Sequence, residues 1–297
     1  MNLRDVPVDL EEYDRSERDA MLKRIISAFV GIVVGVSALI LDNFYVYLGL
    51  LSLFSAIGVW ELIRAVKCDK HKFLCWFCVI FAVAVPSLLV LDFLKPFRFT
   101  AFMGMVLILT CTMLFGHKTI TFVDISTCGA AVFAIPTSLS CILSTRNMFE
   151  GYLPGVYLIV YLLFCAWFGD SGAYFVGTFL GKHKLCPEIS PKKTVEGFIG
   201  GVITVGVAVT VQTLVYNLLL PSEIKMNYAV IIPIGMAASV VGVLGDLSAS
   251  VIKRQYDVKD FGNVMPGHGG VLDRFDSVLF VAPFIYMVFS YLSPAMQ

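Results

Sequence analysis

Charged residues are scarce in this chain. Only 15% of its 297 residues are Asp, Glu, Lys or Arg, whereas 58% are hydrophobic. Soluble domains usually contain about 25% charged and 45–50% apolar residues, so the composition argues against a soluble globular protein. Disorder is also excluded, because it requires low hydrophobicity. The 22 basic and 22 acidic residues balance, so no net positive charge favours nucleic acid as a partner.

A second CxxC motif is lacking, as is a typical signal peptide. Cys75 and Cys78 form a CxxC, but no partner pair follows at zinc-ligand spacing. Most of the eight cysteines lie in apolar segments, where Cys packs as a small hydrophobic residue. The polar stretch 1–24 does not open with a short basic region and apolar core, so we expect the first span to be retained.

Long apolar segments dominate the rest of the chain, and each is about as long as a membrane helix. They predict an all-α, polytopic integral membrane protein with about nine transmembrane helices. We divide the chain into a polar cytoplasmic segment (1–23), N-terminal transmembrane helices (24–152) and a catalytic transmembrane region (153–297). The predicted spans are 25–41, 44–63, 73–91, 99–116, 123–143, 156–180, 196–219, 228–252 and 277–293.

Basic residues are distributed unevenly between the predicted loops. If the chain crosses the membrane at each span, 18 of the 22 Lys and Arg residues lie on one side and four on the other. Cytoplasmic loops carry the excess of basic residues. We therefore expect the N-terminus and the loops 181–195 and 253–276 to be cytoplasmic, and the C-terminus to lie outside.

Small residues recur every four positions in the sixth span, at Gly169, Ala173, Gly177 and Gly181. Residues four apart share a helix face, and small ones allow close approach of backbones. The pattern predicts tight helix packing. The alternative is that it leaves room for a substrate headgroup beside the backbone.

Two carboxylates lie within apolar spans, where charges are costly and usually functional. Asp170 is well inside the sixth span, and Asp246 is near the end of the eighth. Helix periodicity places Asp246, Ser250 and Lys253 on one face, with Arg254 adjacent. The simpler interpretation is an intrahelical Asp–Lys pair that only lowers the cost of burial.

The segment 253–276 combines glycines, cations and carboxylates. Gly267, Gly269 and Gly270 surround His268, and such a loop can turn its backbone amides towards an anion. Asp273 and Asp276 would share one side of a helix, where two carboxylates repel unless a cation bridges them. Mg2+ suits such oxygen ligands together with substrate phosphates. The alternative is an ordinary charged loop. The basic residues of this segment are Lys253, Arg254, Lys259 and Arg274.

The loop 181–195 has a related character. Ser190 is expected to cap a helix that begins at Pro191, which places Lys192 and Lys193 in the first turn. Because the helix dipole disfavours cations there, the arrangement suggests that an anion also binds. Alternatively, the two lysines contact lipid headgroups.

His268 has three possible roles. It could act as a general acid or base, hydrogen-bond a phosphate, or hold the glycine loop. We favour binding.

The motif Ser250-x-x-Lys253-Arg254-x4-Lys259-Asp260-x-Gly262-x3-Pro266-x-His268-Gly269-Gly270-x2-Asp273-Arg274-x-Asp276 resembles the signature of phosphatidate cytidylyltransferases, also called CDP-diacylglycerol synthases. Upstream, Asp170-x-x-Ala173-Tyr174-x-x-Gly177 and the stretch Ser190–Gly197 also look like this family, although Val195 stands where an aromatic residue is frequent. The resemblance covers about 156–293, whereas the first five spans are too generic to contribute.

This resemblance implies that CTP and phosphatidic acid are converted to CDP-diacylglycerol and pyrophosphate. It also implies a polytopic membrane enzyme, dimeric, that needs Mg2+ and that a monovalent cation such as K+ can assist. The metal-binding carboxylates of the family would fall on Asp246 and Asp273, with Asp276 close to the site.

On this basis we assign the metal to Asp246, Asp273 and Asp276, and we expect Lys253 and Arg254 to join them as catalytic residues. The expected substrate-binding residues are Asp170, Lys192, Lys193, Ser250, Lys259, Asp260, His268, Gly269, Gly270 and Arg274.

Two other functions compete with this interpretation. A polyprenol or dolichol kinase would also bind nucleotide phosphates but would direct attack at the γ-phosphorus. An ion-coupled transporter would use Asp170 and Asp246 as an ion path, but it does not explain the Gly-His-Gly-Gly loop. We expect a cell (inner) membrane location with the site on the cytoplasmic side, and an organelle membrane is the alternative.

Overall fold

A computed structural model of the chain describes residues 10–265, 267 and 269–295, without the side chains of 10–20, 23, 24 and 28. Within these ranges the protein is a helical bundle with one small β-hairpin, which confirms the predicted helical membrane architecture. The helices are α1 (Leu10–Leu41), α2 (Phe44–Ala65), α3 (Lys72–Val90), α4 (Arg98–Phe115), α5 (Phe122–Arg146), α6 (Tyr152–Leu180), α7 (Val195–Leu219), α8 (Tyr228–Gln255), α9 (Leu272–Phe275) and α10 (Val278–Tyr291). The strands are β1 (Lys184–Cys186) and β2 (Ser190–Thr194), and a 3-10 helix (Asp92–Phe97) precedes α4.

Seven helical segments of the described chain are long and apolar enough to cross a membrane, with the 3-10 helix and α4 counted as one segment. They correspond to seven of the nine predicted spans. The other two predicted spans correspond to shorter apolar segments, Ile25–Leu41 and α10. α10 has only 14 residues.

Polar side chains mark the starts of several helices. Asn43 caps α2 by accepting a hydrogen bond from Tyr45 N at 2.9 Å, and Asn227 caps α8 in the same way. Thr121 and Asp124 form a reciprocal capping box at the start of α5. These caps satisfy amides that a helix leaves unpaired at its first turn.

The loop between α6 and α7 corrects one prediction. Ser190 does not cap a helix and Pro191 is not its first residue, because Ser190–Thr194 pairs antiparallel with β1. The helix begins at Val195, where Thr194 Oγ1 accepts from Gly197 N at 3.1 Å. Strand pairing, together with the cap at Thr194, overrides the local Ser-Pro signal.

α6 and α7 share the most extensive helix interface of the described chain. Their backbones are so close that a Cβ at Gly201 would lie 2.7 Å from Gly169 O, and one at Gly197 would lie 2.6 Å from Ala173 O. The prediction of tight packing along this glycine face is therefore confirmed.

Buried polar contacts join the helices in the half of the bundle that lies away from the hairpin. Tyr157 Oη and Thr213 Oγ1 are 2.8 Å apart, and Tyr161 Oη donates to Ile231 O at the same distance. Arg146, at the end of α5, forms an ion pair with Asp42, which follows α1. The charged residues considered next lie at the other end.

Cysteines contribute to this packing. All eight are free thiols in the structure, and Cys68 Sγ donates to Asp124 Oδ1 at 3.3 Å. The buried ones are Cys68, Cys75, Cys78, Cys128 and Cys165.

Candidate functional site

Three acidic residues from distant parts of the chain come together at one end of the bundle. Asp170 lies on α6, Asp246 on α8, and Asp276 between α9 and α10. Ser277 joins two of them, since its Oγ donates to Asp170 Oδ2 at 2.9 Å and its N donates to Asp276 Oδ1 at 2.8 Å. Gly245 lets α8 approach, because a Cβ there would lie 2.7 Å from Asp276 O.

Burial and the neighbouring carboxylates both act on the charge state of this acidic group. Burial, followed by the charge of Asp246, raises the pKa of Asp276 from 3.8 to about 7. The charge of Asp246 also acts on Asp170, and Lys193 and Lys253 offset the repulsion only in part. An additional cation at this point would relieve the remaining repulsion.

The hairpin supplies a cation to this group. Lys193 Nζ lies 2.5 Å from Asp246 Oδ2, and about a quarter of each side chain is exposed (23% and 26%). Lys192, the preceding residue on β2, is exposed. Because side chains alternate along a strand, β2 directs one of the two predicted lysines inward and the other outward.

Glu196, in the first turn of α7, fixes the start of the hairpin. Its carboxylate accepts hydrogen bonds from Lys182 N at 3.1 Å and from His183 N at 3.2 Å, and it lies 2.6 Å from His183 Nδ1. These contacts and the Thr194 cap hold β2, and hence Lys193, against α8 at Asp246.

Asp273 has a different environment from the other carboxylates. Its Oδ2 accepts hydrogen bonds from Phe261 N at 2.8 Å and Gly270 N at 3.0 Å, and its Oδ1 pairs with Lys253 Nζ at 2.9 Å. The ammonium also lies 5.2 Å from the centroid of the Phe261 ring. The side chain is only 5% exposed, so Asp273 fastens the loop that follows α8.

The predicted helix face on α8 forms, but its pairing differs from the simple alternative. Ser250 Oγ lies 3.5 Å from Asp246 Oδ1, one helical turn away. Lys253 pairs with Asp273 and not with Asp246, so the face is not a self-contained intrahelical ion pair.

The glycine loop adopts backbone conformations that require glycine. Gly267 and Gly269 have φ of 77° and 85°, a region that residues with a Cβ rarely adopt. Met265 N donates to Gly269 O at 3.0 Å, which closes the turn. The amide of Gly270 faces the protein's own Asp273. His268, with Pro266, lies outside the described residues, so its predicted binding role remains a prediction.

The remaining predicted residues surround this loop. Arg254, Lys259, Asp260 and Arg274 are exposed, and a Cβ on Gly269 would lie 3.3 Å from Asp260 Oδ1. Their predicted contacts with substrate remain predictions.

Glu61 is a residue that the sequence reasoning missed. It lies near the end of α2, is 2% exposed, and accepts hydrogen bonds from Val271 N at 3.0 Å and Leu272 N at 2.8 Å. The signal was present, because a carboxylate within the apolar span 44–63 is as unusual as Asp170 in its span.

Within the described chain, no three His, Cys, Asp or Glu side chains converge closely enough to hold a metal ion by themselves. A metal would therefore need further ligands. Mg2+ commonly binds to one or two carboxylates and completes its shell with water and substrate phosphates. The group of Asp170, Asp246 and Asp276 suits that mode because it brings several carboxylate oxygens to one place.

Comparison with known proteins gives one family match and several similar proteins. Residues 22–292 match the cytidylyltransferase family. A phosphatidate cytidylyltransferase of Bacillus subtilis is 39% identical over 281 residues, which covers 88% of this chain and 97% of the relative. Those of Staphylococcus haemolyticus and Staphylococcus aureus are 34% and 37% identical over 65% and 60% of this chain, and 70% and 64% of the relatives. The similarity thus extends well beyond the charged motif.

Proposed function

The chain belongs to the cytidylyltransferase family, and we propose that it transfers the cytidylyl group of CTP to phosphatidic acid, forming CDP-diacylglycerol and pyrophosphate. The named relatives support this assignment. One structural observation carries it: Asp170, Asp246 and Asp276 meet Lys193 at the end of a membrane-spanning bundle. A lipid phosphate and a water-soluble nucleotide can both reach such a site.

The chemistry requires little from an acid or base. An oxygen of the lipid phosphate is already anionic, so it can attack the α-phosphorus of CTP without prior deprotonation. The main barrier is bringing two anions together and releasing pyrophosphate, which fixed cations offset. The hairpin holds Lys193 at Asp246, and Arg254 lies in the last turn of α8. We assign them to the approaching phosphates.

Lys253 and Asp273 act together in this proposal. Their ion pair, with the amides of Phe261 and Gly270, holds the glycine loop beside the site. The assignment of Asp273 as a metal ligand remains a prediction, because in the structure both of its oxygens are already engaged. Ser250 lies on the face of α8 that carries Asp246 and is assigned to substrate binding.

Mg2+ fits Asp246 and Asp276, with Asp170 nearby. When bound, it would neutralise phosphate charge and orient the displacement. Lys193 already places one positive charge at Asp246, which fits a site whose carboxylates need cations. Assistance by a monovalent cation such as K+ remains a prediction from the resemblance.

The surroundings of the site support a cytoplasmic location. The basic loops 181–195 and 253–276 contribute the hairpin and the glycine loop to the same end of the bundle. By the positive-inside rule we expect this end to face the cytoplasm. We assign the protein to the cell (inner) membrane. A homodimer remains a prediction of the resemblance.

Labelled substrate distinguishes the proposed reaction from its alternatives. Purified protein is incubated with Mg2+, phosphatidic acid and CTP labelled at the α-phosphorus, and lipid and aqueous fractions are counted. We expect label in the lipid fraction. With phosphatidic acid or polyprenol as acceptor, label that remains in soluble CDP would indicate a kinase, and unconverted CTP would leave transport as the better explanation.

A further inference from the structure

We propose that Glu61 is a positioning residue, which fixes the segment that carries Asp273 and Asp276 through the amides of Val271 and Leu272. Glu61 belongs to α2, far from the signature motif along the chain. The inference rests on the proposed function for its activity measurement, whereas its structural part can be tested without any reaction.

Both carboxylate oxygens of Glu61 accept hydrogen bonds from backbone amides. One oxygen accepts from Val271 N at 3.0 Å and the other from Leu272 N at 2.8 Å, and the side chain is 2% exposed. Hydrogen bonds to an ionised, buried carboxylate are stronger than those between neutral groups. An apolar residue could fill the same volume, but it would leave both amides unpaired.

The loop is also shaped to fit this carboxylate. A Cβ on Gly270 would lie 2.5 Å from Oε2 and 2.6 Å from Oε1 of Glu61, and a Cβ on Gly262 would collide with the same group. Both stretches of the loop therefore pass directly over Glu61. The absence of a side chain at these two positions is required by the contact.

The contact determines the position of the groups that follow. Gly270 N, next to the amides held by Glu61, donates to Asp273 Oδ2, and Phe261 N donates to the same oxygen. Asp276 and Ser277 come one turn later, and Ser277 reaches Asp170. If the Val271 and Leu272 amides were released, the segment that carries Asp273 and Asp276 would lose its hydrogen-bonded attachment to α2.

A buried hydroxyl on the same helix provides a matched control. Ser55 is 0% exposed on α2, and its Oγ has no hydrogen-bond partner among the described residues. Ser55→Ala therefore alters a buried polar group of α2 without removing a hydrogen bond to the loop. Glu61→Gln keeps the volume but replaces one acceptor with an NH2 group that faces a backbone N–H.

The experiment measures kcat, KM for CTP and amide hydrogen exchange across 261–273 in the full-length protein. For Glu61→Gln we expect kcat to fall about 10- to 100-fold, the loss expected for a hydrogen bond to a charged group. KM should change less, because the affected groups act on the reacting centre. Exchange should become faster at Val271 and Leu272 but not around Tyr157, and Ser55→Ala should match the wild type in every measurement.

Three results would overturn the inference. They are wild-type exchange at Val271 and Leu272 in Glu61→Gln, faster exchange with unchanged kcat, and a loss of kcat with unchanged exchange. If the wild-type protein makes no CDP-diacylglycerol, the proposed function fails, whereas the exchange comparison still decides whether Glu61 holds the loop. If Glu61→Gln does not fold, Gly270→Ala displaces the same carboxylate and is expected to produce the same faster exchange.

Discussion

Lys193 and Asp246 form a 2.5 Å ion pair between the hairpin strand β2 and the end of α8. The pair joins the hairpin to α8, and it places an ammonium group beside a carboxylate of the acidic group. Substitution of either residue therefore tests the proposed site.

Replacing Asp246 with Asn should reduce cytidylyl transfer on the order of 100-fold or more, the scale expected when a charged group at a reacting centre is lost. Asn keeps the shape but no longer pairs with Lys193 or holds a cation. Initial rates of lipid labelling measure the effect. Asp257→Asn is the control, since Asp257 is exposed and its φ of 55° suits Asn equally well. Equal rates in the two variants would contradict the assignment.

Lys193→Met should lower the rate on the order of 10-fold or more, because it removes the cation that the hairpin holds at Asp246. Lys184→Met is a suitable comparison, since Lys184 lies on the other strand of the hairpin and is exposed. The expected order of activity is wild type, then Lys184→Met close to it, and Lys193→Met well below. The assignment fails if the Lys184 variant is the more impaired of the two.

Asp276 predicts a pH dependence of stability in chelated, metal-free protein. Its pKa is raised from 3.8 to about 7, mainly by burial, so its ionisation costs folding free energy. The free energy of unfolding should therefore fall as pH rises from about 4 to about 7. Asp276→Asn cannot ionise and should lose this part of the dependence. Thermal unfolding at several pH values in EDTA measures it, and parallel curves for the two proteins would disprove it.

Mg2+ should stabilise the wild-type protein without any substrate. A ligand at 100 times its Kd stabilises the folded state by about 2.7 kcal/mol, which corresponds to a Tm shift of a few degrees. Asp246→Asn and Asp276→Asn should reduce the shift, whereas Asp257→Asn should retain it. A shift of the same size in all four proteins would place the metal elsewhere.

Gly201→Ala should destabilise the protein by about 1–3 kcal/mol, the usual cost of overpacking. Its Cβ would meet the carbonyl oxygen of Gly169, which cannot move without shifting α6. Gly49→Ala is the matched variant, because nothing lies within 4 Å of a Cβ at this position on α2. Tm values of the purified proteins decide the matter, and no difference between the two variants would argue against the close α6–α7 approach.

The sequence predicted the helices well because hydropathy acts over some 20 residues at a time. It also identified Asp170 and Asp246, since a carboxylate within an apolar span is conspicuous. The ion-pair and hydrogen-bond partners of charged residues could not be predicted from hydropathy. Helix periodicity shows which residues share a face, but not that Lys253 turns to Asp273 or that Glu61 binds two amides from the far end of the chain.

The hairpin shows a second limit. Ser190–Pro191 has the local chemistry of a helix start, yet pairing with Lys184–Cys186 converts it to a strand. A nearby cap at Thr194 completes that change. Only the tertiary arrangement decides between two starts that lie so close together.

The shortness of α10 has a consequence for the depth of the site in the bilayer. Fourteen residues of helix are about 21 Å long, whereas the hydrocarbon core of a bilayer is about 30 Å thick. If Tyr291 reaches the outer boundary, the other end of α10 stops about 9 Å below the cytoplasmic boundary. Asp276, just before α10, would then lie below the headgroup level of one leaflet. A phospholipid could bring its phosphate down to that depth by a small vertical movement, without withdrawing its acyl chains from the membrane.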